Sequence, residues 1–125
     1  MILDHLALIV TDLDQAFRLF EALGYRKAGQ AQLAGVRYAR LVDGSFSIVL
    51  IYGVSRHTDV ADSMKTRGPG PHHLAFTVPD LDAAVEKLTS LYPLEGNTTV
   101  HEQGRQWFSR REPVTGLIVE LIELR

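Results

Sequence analysis

Apolar and polar positions alternate over Leu3 to Val10 with the period of a strand. Leu6, Leu8 and Val10 share one face, and His5, Ala7 and Ile9 share the other. The period then lengthens. Leu13, Ala16, Phe17, Phe20 and Leu23 fall at helical spacing, which predicts an amphipathic helix over 13–23. Asp12 is placed to cap it with Gln15 as capping-box partner, and Gly24 stands where a C′ glycine belongs. Shorter strands are predicted at roughly 25–32, 35–43 and 46–53, with Gly35 and Asp43-Gly44 as turn signals. The segment SFSIVLIYG is almost wholly apolar, as expected of a strand covered on both faces.

The same order of patterns then recurs. DHLALIVTDLDQAFRLFEAL, from Asp4 to Leu23, lies over HHLAFTVPDLDAAVEKLTSL, from His72 to Leu91. His5 falls on His73, Ala7 on Ala75, Val10 on Val78, and Asp12-Leu13-Asp14 on Asp80-Leu81-Asp82. The repeat is too long for a solenoid unit and reads as one small module used twice. In the second copy His73, Ala75 and Thr77 share a strand face, Asp80 caps a helix through Leu91, and strands follow near 94–100, 104–112 and 116–124. The expected organisation is a single domain over 1–125: module 1–53, linker 54–71, module 72–125. Asp59 to Lys65 is expected to make one or two helical turns, ended by Gly68-Pro69-Gly70-Pro71. Each module reads strand–helix–strand–strand–strand, an α+β arrangement.

Composition narrows the function classes. A chain of 125 residues is one domain's worth, and an apolar fraction of 46% is ordinary for a globular protein. A net charge of −2 gives no electrostatic footprint for nucleic acid. Without cysteine there is no disulfide frame, thiolate ligand or thiol nucleophile, which fits a cytoplasmic location. MILDHLALIV carries Asp4 and His5 and lacks a basic leader, so it reads as a strand and not a signal peptide. No apolar run approaches the roughly 20 residues of a membrane span.

The chemistry-bearing positions lie on the histidine face. Ala7 and Ala75 leave room beside His5 and His73. Glu120 sits among Ile118, Val119, Leu121 and Ile122, where a carboxylate is costly to bury without a partner. Two imidazoles and one carboxylate converging from three strands would make a site for one divalent ion (zinc, nickel, cobalt, manganese or iron) with open positions. Against this stands the ordinary reading of a strand histidine as a hydrogen-bonded core residue. Glu123 points to the opposite face and reads as solvated. Arg37, Arg40, Arg105, Arg110 and Arg111 could aim a guanidinium at an acidic substrate or simply blunt a sheet edge. Tyr38, Tyr52, Trp107 and Phe108 are pocket candidates or core. His57 and His72 read as surface or hinge, and His101 as a surface residue in a polar loop.

LDHLALIV, GPHHLAF and GLIVELIE together resemble the signature strands of the vicinal oxygen chelate superfamily, also called the glyoxalase/bleomycin-resistance/dioxygenase family. Within it the chain looks most like methylmalonyl-CoA epimerases. The resemblance implies two tandem βαβββ modules forming a cupped mixed sheet, with one divalent metal held by His5, His73 and Glu120. It also implies a small-molecule substrate, no nucleic-acid or membrane partner, and a homodimer. The implied reaction is of the glyoxalase or epimerase type, a lyase or isomerase passing through an enolate-like intermediate, with Glu120 as ligand and proton shuttle. Two positions depart from that pattern. Val49 stands where a fourth ligand is usual, and the stretch Ala28 to Leu41 holds no Asp or Glu to act as a second base. Two alternatives therefore stand beside the first: an iron-dependent ring-cleaving dioxygenase, and a metal-free binding protein of the bleomycin-resistance type.

Overall fold

The computed structural model describes residues 1–55, 58–102 and 104–124. Of His101 only the backbone is described; its side chain and His57, both considered above, lie outside the described residues. The fold is α+β, with eight strands and three helices among the described residues. In chain order these are β1 (Ile2–Ile9), α1 (Leu13–Ala22), β2 (Arg26–Leu33), β3 (Val36–Val42), β4 (Ser47–Gly53) and α2 (Asp59–Arg67). Then follow β5 (Gly70–Thr77), α3 (Leu81–Leu91), β6 (Gly96–His101), β7 (Gly104–Ser109) and β8 (Ile118–Leu124). The chain divides into two compact units, one of His5–His72 and one of Met1–Asp4 with His73–Arg125.

In the His5–His72 unit the strand order is β2-β3-β4-β1. β1 runs parallel to β4, and β2, β3 and β4 form an antiparallel meander. The β2–β3 hairpin turns through Ala34 (φ 52°) and Gly35 (φ 77°). Two successive positive φ values match the right-handed twist of the strands, and only the second falls on the residue that adopts them freely. Asp12 Oδ1 accepts from the Gln15 amide at 2.9 Å and starts α1. The apolar stripe of α1 then covers one face of the sheet: Leu13, Ala16, Phe17 and Phe20 pack with Ala39, Leu41, Ile48 and Leu50. On the other face Ala7, Ile9, Val36, Val49 and Ile51 pack with Val60 of α2. β4 is therefore buried on both sides, as its unbroken apolar run requires.

The second unit repeats this order with β5-β8-β7-β6, β5 parallel to β8 and the rest antiparallel. Asp80 caps α3 through the Ala83 amide at 3.1 Å. Leu81, Ala84, Val85 and Leu88 of that helix pack on Val78, Trp107 and Leu121. Trp107 is thus core beneath the helix, while Tyr52 is 37% exposed.

Three sequence expectations need correction. Glu123 is not a solvated strand end: Arg105 Nε donates to its Oε1 at 3.1 Å, and the Leu81 amide donates to its Oε2 at 2.6 Å. It ties the start of α3 to β8, and the hydrogen bonds from Arg105 first and the Leu81 amide second hold its carboxyl below the usual range. His72 is not a surface residue: it is 6% exposed, with Nε2 3.2 Å from Asp59 Oδ2 in the first turn of α2. β7 also stops at Ser109, three residues short of the expected end, because the 110–117 segment folds into a turn around Glu112.

Candidate metal centre

The parallel register of β5 with β8 builds the core of the site. His73 stands beside Ile118 and Ala75 beside Glu120, so His73 and Glu120 project from the same face two residues apart in register. His73 Nε2 and Glu120 Oε1 lie 3.2 Å apart. Both are buried, at 9% and 6% exposure, although neighbours on β8 are aliphatic. Phe108 of β7 pairs with Glu120 across the antiparallel ladder. Its ring meets the His73 imidazole edge-on, with centroids 5.6 Å apart and planes at 89°. The small Ala75, fully buried, is the register partner of Glu120 on that face. An imidazole and a carboxyl group held this way, with an aromatic wall behind them, are a suitable pair of donors for a borderline divalent ion.

The His5–His72 unit presents the equivalent positions with a different outcome. His5 stands beside Ser47 on β4, and Ala7 beside Val49. His5 is buried at 6% and Ala7 at 0%. By register, Val49 is to His5 what Glu120 is to His73. It is 8% exposed and packed with Ala7, Ile9, Val36, Ile51 and Val60. Where one unit offers a carboxylate, the other offers an isopropyl group that cannot ligate. Arg40 of β3 pairs with Val49 and so shares the face of His5; it is half-buried.

The other candidate cations have separate duties. Arg105 holds Asp82 and Glu123, Arg110 pairs with Glu95 at 3.4 Å on the surface, and Arg111 donates to the Gly116 carbonyl at 2.6 Å. Arg37 is exposed and pairs with Tyr52 on the opposite face.

One buried acid was missed in the sequence. Glu112, 7% exposed, accepts from the Val114 and Thr115 amides, the Thr115 hydroxyl and the Tyr92 hydroxyl. The two amides above all hold its carboxyl well below the usual range, at about 2. It organises the turn into β8, and the signal for it was the run Glu-Pro-Val-Thr-Gly, a carboxylate followed by turn formers.

Residues 4–107 match the family model of the Glyoxalase/Bleomycin resistance protein/Dioxygenase superfamily, and the chain belongs to that superfamily. Among solved structures it is similar to methylmalonyl-CoA epimerase from Mycobacterium tuberculosis, at 27% identity over 98% of this chain and 87% of that one, with a TM-score of 0.82. A hypothetical protein from Bacillus halodurans C-125 superposes with a TM-score of 0.85 at 22% identity, over 98% and 94% of the two chains. A Streptomyces coelicolor methylmalonyl-CoA epimerase variant in complex with 2-nitronate-propionyl-CoA does so at 0.81 and 22%, over 99% and 97%. No curated protein matches the sequence at a significant level.

Proposed function

We propose that the protein is a divalent-metal enzyme of the epimerase or glyoxalase type, moving a proton next to the carbonyl of a small carboxyl or acyl-thioester compound. The observation that carries this reading is the buried His73–Glu120 pair at 3.2 Å. His5 supports it: a buried imidazole at the same place of the repeat, on the strand equivalent to that of His73. His5, His73 and Glu120 each offer one donor atom and would hold the ion. When bound, the ion supplies Lewis-acid polarisation of a substrate oxygen. The chain's own residues do the rest. Phe108 excludes water from one side of His73 and fixes its ring plane. Glu120 takes up and returns the proton at the carbon beside the carbonyl, in a setting that burial makes poor in water. The relatives named for methylmalonyl-CoA are the reason for placing acyl thioesters among the substrates.

The test is solvent deuterium incorporation into 2-oxo acids, hemithioacetals and acyl thioesters by protein reconstituted with cobalt, zinc, nickel or manganese, run beside an oxygen electrode with catechols and ferrous iron. Metal-dependent exchange without oxygen uptake is the expected result. Oxygen consumption with a catechol and no exchange would replace this reading with ring cleavage. Val49 favours one further reading, a metal-free protein that sequesters a small molecule, because the fourth position is filled by an apolar core residue. The protein is also proposed to act as a homodimer in the cytoplasm; light scattering at micromolar concentration should give about twice 13.9 kDa, and a clean monomer would refute the dimer.

A further inference from the structure

The ladder between β7 and β8 breaks beside the His73–Glu120 pair. It runs from Gly104 opposite Leu124 to Phe108 opposite Glu120 and goes no further. The next amide of β8, that of Val119, donates to Ser109 Oγ at 2.9 Å. The same hydroxyl donates to the Arg110 carbonyl at 2.8 Å. Its one proton is thus committed to Arg110, and a lone pair is left for Val119. Ser109 is buried, so no bulk water stands ready to replace that hydroxyl. On its other edge β7 still pairs Ser109 with Gly96 of β6, so the break concerns β8 alone.

The 5–72 unit carries an unbroken ladder at the equivalent place. There β3 pairs Arg40 with Val49 and continues, Leu41 with Ile48 and Val42 with Ser47. Leu41, fully buried, is the counterpart of Ser109. The ladder therefore breaks in the unit that carries the carboxylate and continues in the unit that carries Val49. Two consequences follow for the site. Val119 immediately precedes Glu120, so the Ser109 hydroxyl fixes the backbone from which the carboxyl group projects. A continued ladder would also set Arg110 opposite Ile118, the register partner of His73. Alternation would then put its guanidinium on the face of His73 and Glu120, where a fixed cation repels a divalent ion. Instead the chain turns away after Ser109, and the exposed Arg110 pairs with Glu95 at 3.4 Å. We propose that Ser109 is a positioning residue of the site: its hydroxyl holds the Val119 amide, sets Glu120 against His73 and ends the ladder before Arg110 can join that face. This rests on the proposed function for its use, but the placement belongs to the 73–125 unit alone and does not require the ion.

The experiment compares wild type with Ser109→Ala, Ser109→Thr and Leu41→Ala. Zinc affinity is measured by calorimetry. In metal-free protein the NMR shift of His73 Nε2 reports its contact with Glu120 Oε1, 3.2 Å away. Circular dichroism confirms folding of each variant. Ser109→Ala should bind zinc about tenfold more weakly than wild type, the lower end of what loss of an outer partner costs, and should move the His73 signal. Ser109→Thr, which keeps the hydroxyl, should match wild type in both. Leu41→Ala removes more buried surface from the equivalent place of the other unit and should also match wild type in both, which separates positioning from loss of stability. Wild-type zinc affinity or an unmoved His73 signal in Ser109→Ala would overturn the proposal, as would equal changes in Leu41→Ala. Absence of zinc binding by the wild type would overturn the proposed function, while the His73 signal of the metal-free proteins would still decide the role of Ser109.

Discussion

Replacing Val49 by glutamine restores the donor that its register position lacks, and the structure sets the cost. Val49 is 8% exposed and packed among Ala7, Ile9, Val36, Ile51 and Val60. Losing most of a buried valine's apolar contact costs about 1–2 kcal/mol. An amide left there without a partner costs a further 1–2 kcal/mol or so. The metal-free variant should therefore be about 2–4 kcal/mol less stable than wild type, which for a domain of this size lowers the melting temperature by roughly 8–15 °C. Metal changes the balance. Once the amide oxygen ligates, it is no longer unsatisfied. A tenfold gain in affinity adds about 1.4 kcal/mol of linkage at saturating ion, or roughly 5 °C beyond the wild-type shift. The assay is thermal unfolding followed by circular dichroism, with and without zinc, for both proteins. The reasoning is refuted if Val49→Gln melts like wild type without metal, or if zinc raises its melting temperature no further than it raises that of wild type.

Leu121 is fully buried under α3 with Val78, Leu81 and Trp107, so Leu121→Ala should cost about 2–5 kcal/mol in urea unfolding, with an unchanged m-value. Glu112 has a carboxyl held at about 2 against an ordinary 4.5, so the stability it contributes is complete above about pH 4.5 and is lost as the pH falls towards 2. Glu112→Gln should therefore be less stable than wild type at neutral pH, with the gap closing between pH 4.5 and 2. A gap that stays constant over that range would show that the hydrogen bonds to the carboxylate are not its source.

The repeat carries most of what is legible in the sequence. Aligning His5 with His73 fixes two strands, and with them the two helices capped by Asp12 and Asp80, because those caps are local chemistry. The alternation of Ala75 and Glu120 with their neighbours correctly puts Glu120 on the face of His73, since register in a sheet has a period of two. Glu123 is misread because periodicity gives a side chain's face and not its partners; Arg105 and the start of α3 reach it from elements up to 42 residues away in sequence. His72 is misread for the same reason, its partner Asp59 lying on a helix that the sequence marks only weakly. The early end of β7 follows from Glu112, whose four accepted hydrogen bonds outweigh a strand pattern that continues to Arg111.

The central claim is that His5, His73 and Glu120 hold one divalent ion. Calorimetric titration of metal-stripped protein with zinc tests it most directly, on wild type and on His5→Ala, His73→Ala and Glu120→Gln. The account predicts one ion per chain for the wild type. Each variant should stay folded and lose affinity by more than the roughly 10–100-fold that removal of an outer partner costs. A wild type that binds no ion above background, or variants that bind as tightly as wild type, would contradict it.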